Sequence, residues 1–181
     1  PHAEYRALAE RFNPRPDAAD LWARTARAAG MRYAVLTTKH CDGFCLFDTA
    51  TTSYSLAHHR GRDLVAEFVA AARRHDLRIG LYFSLIDWNV PAYFEGPERN
   101  PDGFRAFRDM THAQLRELAT NYGPIDEFWF DGDLHMWPQD SYPGDPRLWD
   151  CAGMLALLRQ LQPRALVNER LGLPADIQVS E

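Results

Sequence analysis

Helical segments alternate with short apolar segments along the whole chain, and this alternation is the feature that most restricts its fold. The patterns predict strands at residues 33–38, 78–85, 127–131 and 165–170. They predict helices at residues 17–30, 63–75, 104–122 and 147–161, the first of which buries Leu21, Thr25, Ala28 and Ala29. Strands that are apolar almost throughout are typical of sheets covered on both faces. The order predicts an α/β fold with a parallel sheet, either a doubly wound sheet or a (β/α)8 barrel.

Polar residues follow every predicted strand, and they favour the barrel. The strands lead into Lys39-His40-Cys41-Asp42, Ser84 with Asp87-Trp88, Asp131-Gly132-Asp133, and Asn168-Glu169-Arg170. In a barrel the carboxyl ends of the strands form the active-site face. No G-x-G-x-x-G motif follows a strand, so a nucleotide-binding sheet lacks its usual signature. A complete barrel takes about 250 residues, so we predict a partial (β/α)8 TIM-like barrel, with residues 1–181 forming a single domain that is a fragment of it.

Charge and composition exclude several classes of function. The net charge of −5 leaves no basic footprint for nucleic acid. No apolar stretch reaches the roughly 18 residues that a membrane span needs. The three cysteines, Cys41, Cys45 and Cys151, do not form a disulfide framework, and one Cys-x3-Cys spacing is a weak zinc signal. We therefore expect neither a nucleic-acid nor a membrane partner, and oligomeric state and cellular compartment have no signature in the sequence.

Asp131 is the most informative residue, because an apolar strand leads directly into its carboxylate. A carboxylate at the mouth of a barrel can attack an electrophilic carbon or stabilise a cation. A carboxylate that caps the next helix or binds loop amides is the structural alternative. Because side chains alternate along a strand, Trp129 and Asp131 point to one face and Phe130 to the other.

Other polar residues at the strand ends are candidates for the same site. His40 lies in the segment KHCDGF, although a histidine in such a loop is often only structural. Tyr82 is either a structural hydrogen-bond donor or a substrate contact. Arg170 requires an anionic partner, which Asp131 or another carboxylate on the same face would provide. His135 and Trp137, in the loop after Asp131, are further candidate ligand contacts.

Four motifs in sequence carry a family resemblance. They are LTTKHCDGFCLFDT, GLYFSLIDW, YGPIDEFWFDG and VNERLG. Together they resemble the retaining α-L-fucosidases of glycoside hydrolase family 29, in the same order and over nearly the whole chain. The resemblance implies a (β/α)8-like catalytic barrel that needs no cofactor and that acts on fucosylated glycans.

The resemblance also implies roles for individual residues. The aspartate of the family's W-x-D-G motif, here Asp131, is the nucleophile, and Trp129 lines the sugar site. The paired histidines of the K-H-H-D-G-F motif hold the fucose hydroxyls, and His40 matches the first of them. Cys41 replaces the second, and a thiol is a weaker hydrogen-bond donor than an imidazole. Tyr82 matches the tyrosine of the G-x-Y-x-S motif.

The remaining matches concern the end of the chain. Arg170 matches the family's arginine after the V-N stretch. Some members carry a D-x-x-x-x-E segment after this arginine, and the segment DIQVSE has that spacing. The resemblance therefore predicts Glu181 as the catalytic acid/base, with Glu169 as the alternative.

The predicted function is a retaining exo-glycosidase that removes terminal α-L-fucose through a covalent glycosyl-enzyme intermediate. One alternative is a metal-dependent barrel hydrolase with His40, Cys41, Asp131 and His135 as ligands. The other is a non-enzyme, either a sugar-binding relative without catalysis or an inert truncated chain. Its motivation is the substitution at Cys41 and the lack of a counterpart to the family's first strand.

Overall fold

The computed structural model describes residues 2–132 and 142–179. Its four strands are β1 (Tyr33–Lys39), β2 (Arg78–Ser84), β3 (Glu127–Asp131) and β4 (Leu166–Val167). The described helices are α1 (His2–Ala7), α2 (Ala18–Ala28), α3 (Leu56–Arg60), α4 (Leu64–Arg74), α5 (Pro91–Arg99), α6 (Pro101–Thr120) and α7 (Cys151–Leu161). Short 3-10 helices cover Leu8–Glu10 and Glu169–Leu171. In the parts of the chain that the structure describes, no helix is both long enough and apolar enough to span a membrane.

The sheet is parallel, and its strands lie in chain order, β1-β2-β3-β4. Helices α2, α4, α6 and α7 contribute to one hydrophobic core with the strand residues Leu81, Phe83, Phe128, Phe130 and Val167. A doubly wound sheet carries helices on both faces and reverses its strand order. Sequential strand order with the helices packed on one face is the arrangement of a partial (β/α)8 barrel, so the predicted fold class is confirmed.

The expectation that both sheet faces are covered is wrong for the described strands. On β1, Tyr33 is 60% exposed and Val35 is 38% exposed. On β3, Phe128 and Phe130 are fully buried, whereas Trp129 is only partly buried. The buried side chains face the helices, and the more exposed ones face what would be the interior of a barrel.

The fourth strand is shorter than predicted, because a side chain replaces its backbone hydrogen bonds. Asn168 Oδ1 accepts a bond from the N–H of Phe130, and Asn168 Nδ2 donates one to the carbonyl of Phe130, both at 2.9 Å. The ladder therefore ends at Val167, and the chain turns into the 3-10 helix Glu169–Leu171.

Two helix predictions also need correction. Helix α7 begins at Cys151 rather than at 147, because Asp150 caps it by accepting a hydrogen bond from the N–H of Gly153 at 3.2 Å. On α2 the buried residues are Ala18, Ala19 and Ala23, whereas Leu21 is 38% exposed. Small alanine side chains allow α2 to approach α4 closely, so the helix turns this face inward instead of the predicted one.

Candidate active site

Three of the predicted site residues meet at the carboxyl end of the sheet. Asp131 is the last residue of β3. Tyr82, on the neighbouring strand β2, donates a 2.6 Å hydrogen bond from its hydroxyl to Asp131 Oδ2. Arg170 Nη1 lies 3.7 Å from Asp131 Oδ1, and the arginine side chain is only 2% exposed. The carboxylate is thus held by a hydroxyl and faces a buried positive charge.

The strand register explains why these side chains meet. Tyr82 is paired with Trp129, and Ser84 is paired with Asp131, across the parallel β2–β3 ladder. Paired residues project to the same face, and residues two apart along a strand share that face. The predicted alternation of Trp129, Phe130 and Asp131 agrees with their burial pattern.

Aromatic rings form a wall beside the carboxylate. The His40 ring stacks on Tyr82 with the centroids 5.5 Å apart and 6° between the planes. Tyr82 stacks in turn on Trp129 at 5.5 Å and 18°. The guanidinium of Arg170 lies 5.6 Å from the centroid of the Trp129 ring, within the range of a cation–π contact. Such a wall suits the apolar face of a sugar ring.

The backbone after Asp131 also contacts its carboxylate. The N–H of Gly132 donates a 2.9 Å bond to Asp131 Oδ1. Gly132 has φ +154°, and a Cβ there would lie 3.1 Å from Cβ of Leu85. Leu85 itself donates a 2.7 Å backbone bond to the carbonyl of Asp131. A glycine at this position therefore allows the turn to pass close to β2.

Cys41 lies next to His40 at the edge of this group. Its Sγ is 3.0 Å from His40 Nδ1. Burial and then the Asp42 carboxylate raise the pKa of the Cys41 thiol above its ordinary value. A thiol with a raised pKa is mostly neutral near pH 7, so Cys41 contributes a weak hydrogen-bonding group here rather than a charge.

Glu169, the alternative acid/base, is engaged by the chain itself. Its Oε1 accepts a 2.7 Å hydrogen bond from the N–H of Val179. Val179 is the last described residue, two before Glu181. The candidates Glu181, His135 and Trp137 lie outside the described residues, as does Asp133, the second carboxylate after β3.

The metal-site alternative finds no support in the described ranges 2–132 and 142–179, where no three His, Cys, Asp or Glu side chains are arranged to hold an ion. His40, Cys41 and Asp131 therefore do not form a ligand set among themselves. Instead, the carboxylate of Asp131 faces Tyr82 and Arg170.

Sequence reasoning missed two supports of the site. One is Asn168, whose amide holds Phe130 next to Asp131. The other is a buried ion pair between Lys39 and Asp87, with Nζ and Oδ2 3.7 Å apart. The sequence contained one sign that Lys39 is unusual, because it is the only lysine in a chain rich in arginine.

Comparison with known proteins shows the family to which the chain belongs. The family model described as alpha-L-fucosidase matches residues 1–178. A putative alpha-L-fucosidase 1 of Oryza sativa subsp. japonica is 36% identical over 165 residues, which is 89% of this chain and 29% of that protein. The tissue alpha-L-fucosidase of Mus musculus is 34% identical over 179 residues, 95% of this chain and 37% of that protein. The chain belongs to the α-L-fucosidase family, and it spans about a third of the length of these relatives.

Solved structures of α-L-fucosidases are also similar to this chain. Alpha-L-fucosidase isoenzyme 1 from Paenibacillus thiaminolyticus superposes with a TM-score of 0.79 at 38% identity, covering 94% of this chain and 42% of that one. A second structure is a GH29 alpha-L-fucosidase from Bacteroides thetaiotaomicron trapped as a covalent intermediate with 2-fluoro-fucosyl fluoride. It superposes with a TM-score of 0.82 at 32% identity, covering 94% of this chain and 38% of that one. These similarities support the partial barrel.

Proposed function

We propose that the protein carrying this chain is a retaining exo-α-L-fucosidase that removes terminal fucose from glycans or oligosaccharides. The observation that carries the proposal is the arrangement of Asp131 at the end of β3, with the Tyr82 hydroxyl at 2.6 Å and the Arg170 guanidinium at 3.7 Å. Residues 1–181 would then form one part of the catalytic barrel domain.

In this mechanism Asp131 is the nucleophile. The hydrogen bonds from Tyr82 and Gly132 orient the carboxylate, and the guanidinium of Arg170 faces its Oδ1 atom at 3.7 Å. Asp131 attacks the anomeric carbon and forms a glycosyl-enzyme ester while the glycosidic oxygen leaves with a proton. Water then cleaves the ester and releases fucose with its original anomeric configuration.

Glu181 is the proposed acid/base. It would donate the proton to the leaving oxygen and later remove a proton from the attacking water. Retaining enzymes place the two carboxyl groups about 5–5.5 Å apart. The bond from Val179 to Glu169 supports this role, because it ties the chain just before Glu181 to the 3-10 helix that contains Arg170. The same bond occupies Glu169, which supports a structural role for that residue.

The sugar would be bound by His40, Cys41, Tyr82, Trp129 and Arg170. The stacked rings of His40, Tyr82 and Trp129 offer a flat wall for the apolar face and the methyl group of fucose. The His40 imidazole offers a hydrogen bond to a hydroxyl. Cys41 offers only a weak one, so that side of the sugar would depend more on its neighbours.

Trapping of the intermediate tests the proposal in the whole protein. We expect wild type to hydrolyse 4-nitrophenyl α-L-fucoside and to be labelled by 2-fluoro-fucosyl fluoride on the peptide containing Asp131. Asp131→Gly should lower kcat by about 1,000-fold or more. Azide should restore part of the turnover of this variant and give β-fucosyl azide. A label on a different carboxylate would overturn the assignment of Asp131.

Two measurements on the whole protein distinguish the two alternative functions from the proposed one. A chelator should leave the activity unchanged if the mechanism is carboxylate-based, whereas a metal-dependent hydrolase would lose activity. Fucose binding by the wild type without hydrolysis or labelling would indicate a sugar-binding relative that lacks catalysis.

A further inference from the structure

A charged pair lies completely buried behind the turn that carries His40. The side chain of Lys39 is 0% exposed and that of Asp87 is 3% exposed, with Nζ and Oδ2 3.7 Å apart. Lys39 Nζ has no hydrogen-bond partner in the described part of the chain, and it sits 4.6 Å from the centre of the Phe83 ring. Burial lowers the pKa of Lys39 and raises that of Asp87. A pair in such surroundings is costly to desolvate, and removing one partner leaves an uncompensated buried charge.

Asp87 connects the loop after β2 to the turn after β1. Its Oδ1 accepts a 2.9 Å bond from the N–H of Asn89. A Cβ on Gly43 would lie only 2.2 Å from Asp87 Oδ1, so the carboxylate packs directly on the turn backbone. Gly43 has φ +79°, which a glycine adopts without strain. The N–H of Trp88 donates a 2.7 Å bond to the carbonyl of Cys41, which joins the two loops a second time.

The turn held in this way carries His40. Lys39 is the last residue of β1 and directly precedes His40. The N–H of Gly43 donates a 3.0 Å bond to the carbonyl of His40, which closes the turn. The ring of His40 then stacks on Tyr82, whose hydroxyl contacts Asp131. An unbroken chain of contacts therefore leads from the buried pair to the nucleophile.

We propose that the buried Lys39–Asp87 pair positions the His40–Gly43 turn against the end of β2 and so presents His40 for sugar binding. Lys39 and Asp87 are positioning residues, because neither is among the groups proposed to touch the sugar. The kinetic part of this inference rests on the proposed fucosidase function, whereas the structural part does not.

The reactivity of Cys41 reports on the turn without any activity assay. Cys41 is partly buried, and Cys45 and Cys151 are fully buried, so alkylation by iodoacetamide followed by peptide mass spectrometry can be read at each thiol. We expect Lys39→Met and Asp87→Asn each to accelerate alkylation of Cys41 about threefold or more, with the two buried thiols still unmodified. The double variant should return to within about twofold of wild type, since it leaves no unpaired charge.

The two single variants together exclude a purely electrostatic explanation. Removing the negative charge of Asp87 would lower the pKa of the thiol and speed its reaction, whereas removing the positive charge of Lys39 would raise the pKa and slow it. Acceleration in both variants therefore reports an opened turn. Opposite changes in the two variants would overturn the proposal.

Kinetics in the whole protein test the link to sugar binding. We expect each single variant to raise KM for 4-nitrophenyl α-L-fucoside about tenfold, with a smaller change in kcat, because misplacing His40 weakens binding more than it affects Asp131. The double variant should recover most of the lost affinity. Unchanged KM in both single variants, together with accelerated alkylation, would limit the pair to holding the turn and overturn its role for the sugar.

Asp126→Asn is the matched control. Asp126 accepts hydrogen bonds from Arg78 and from the N–H of Ile79 at the opposite end of the sheet. This variant should lower Tm but leave KM and Cys41 alkylation unchanged. If Lys39→Met and Asp87→Asn also lower only Tm, with KM and Cys41 alkylation unchanged, the pair has only a general structural role and the proposal is overturned. If wild type does not cleave fucosides at all, the proposed function fails, and the alkylation experiment still decides whether the pair holds the turn.

Discussion

The hydroxyl of Tyr82 donates a 2.6 Å hydrogen bond to the carboxylate of Asp131 across two neighbouring parallel strands. The same tyrosine ring lies between His40 and Trp129 in a continuous stack. Tyr82 thus links the residue proposed to attack the sugar with the residues proposed to bind it.

Loss of the Tyr82 hydroxyl should impair catalysis without unfolding the protein. Tyr82→Phe keeps the ring stack but removes the bond to Asp131, so we expect kcat/KM on an aryl fucoside to fall about tenfold or more. Tm should change little, because the hydroxyl lies at the carboxyl end of the sheet and outside the hydrophobic core. Steady-state kinetics and thermal unfolding measure the two effects.

Tyr122→Phe is the matched control for this variant. Tyr122 donates a 2.7 Å bond to Asp63, so its loss also removes one tyrosine–aspartate bond, outside the candidate site. We expect lower Tm and unchanged kcat/KM. Equal activity of Tyr82→Phe and wild type would contradict the proposed contact.

Arg170 should be required as an arginine. Arg170→Met removes the buried charge beside Asp131 and the cation–π contact with Trp129, and we expect kcat/KM to fall about 100-fold. Arg170→Lys should have a kcat/KM little higher than that of Arg170→Met, because an ammonium group reproduces neither the planar hydrogen-bonding geometry of a guanidinium nor its stacking on Trp129. Arg159→Met, which breaks the 2.6 Å pair with Asp176, should affect Tm only. Full recovery in Arg170→Lys would show that charge alone suffices.

Asn168 should be essential for the stability of the β3–β4 junction. Asn168→Leu fits the apolar surroundings but leaves the N–H and the carbonyl of Phe130 without their partners. We expect the free energy of unfolding to fall by about 2–4 kcal/mol. Denaturant unfolding measures this loss. A stability equal to wild type would mean that Phe130 finds other partners.

The alkylation rate of Cys41 should rise at higher pH than the rate of an ordinary thiol. Only the thiolate reacts, and burial together with Asp42 raises the pKa of this thiol above its ordinary value of 9.0. The pH at which the rate reaches half of its plateau should therefore lie above 9.0. Cys45 and Cys151, whose pKa values burial raises to about 12, should stay unmodified while the protein is folded. A half-maximal rate at pH 9.0 or below would contradict this expectation.

The alternation of helices and strands could be predicted from sequence because it depends on local spacing of apolar residues. The strand Glu127–Asp131 has the predicted bounds, and Asp63 caps α4 by accepting a 2.8 Å bond from the N–H of Ala66. The family motifs also pointed to His40, Tyr82, Trp129, Asp131 and Arg170 as neighbours. Parallel strands bring their carboxyl ends to one edge, so residues far apart in the chain could be expected to meet there.

Other features depended on contacts that no local pattern encodes. The shortening of β4 results from the Asn168 side chain. The pairing of Lys39 with Asp87 joins residues 48 positions apart.

The sequence by itself determined the parallel α/β order, the family and the strand ends at which the polar residues collect. Only the tertiary structure decided which donor meets which oxygen of Asp131 and which buried charges support the turn of His40. The physical reason is range: apolar periodicity is set within a few residues, whereas register, side-chain orientation and charge pairing are set by strands and loops that come together only on folding.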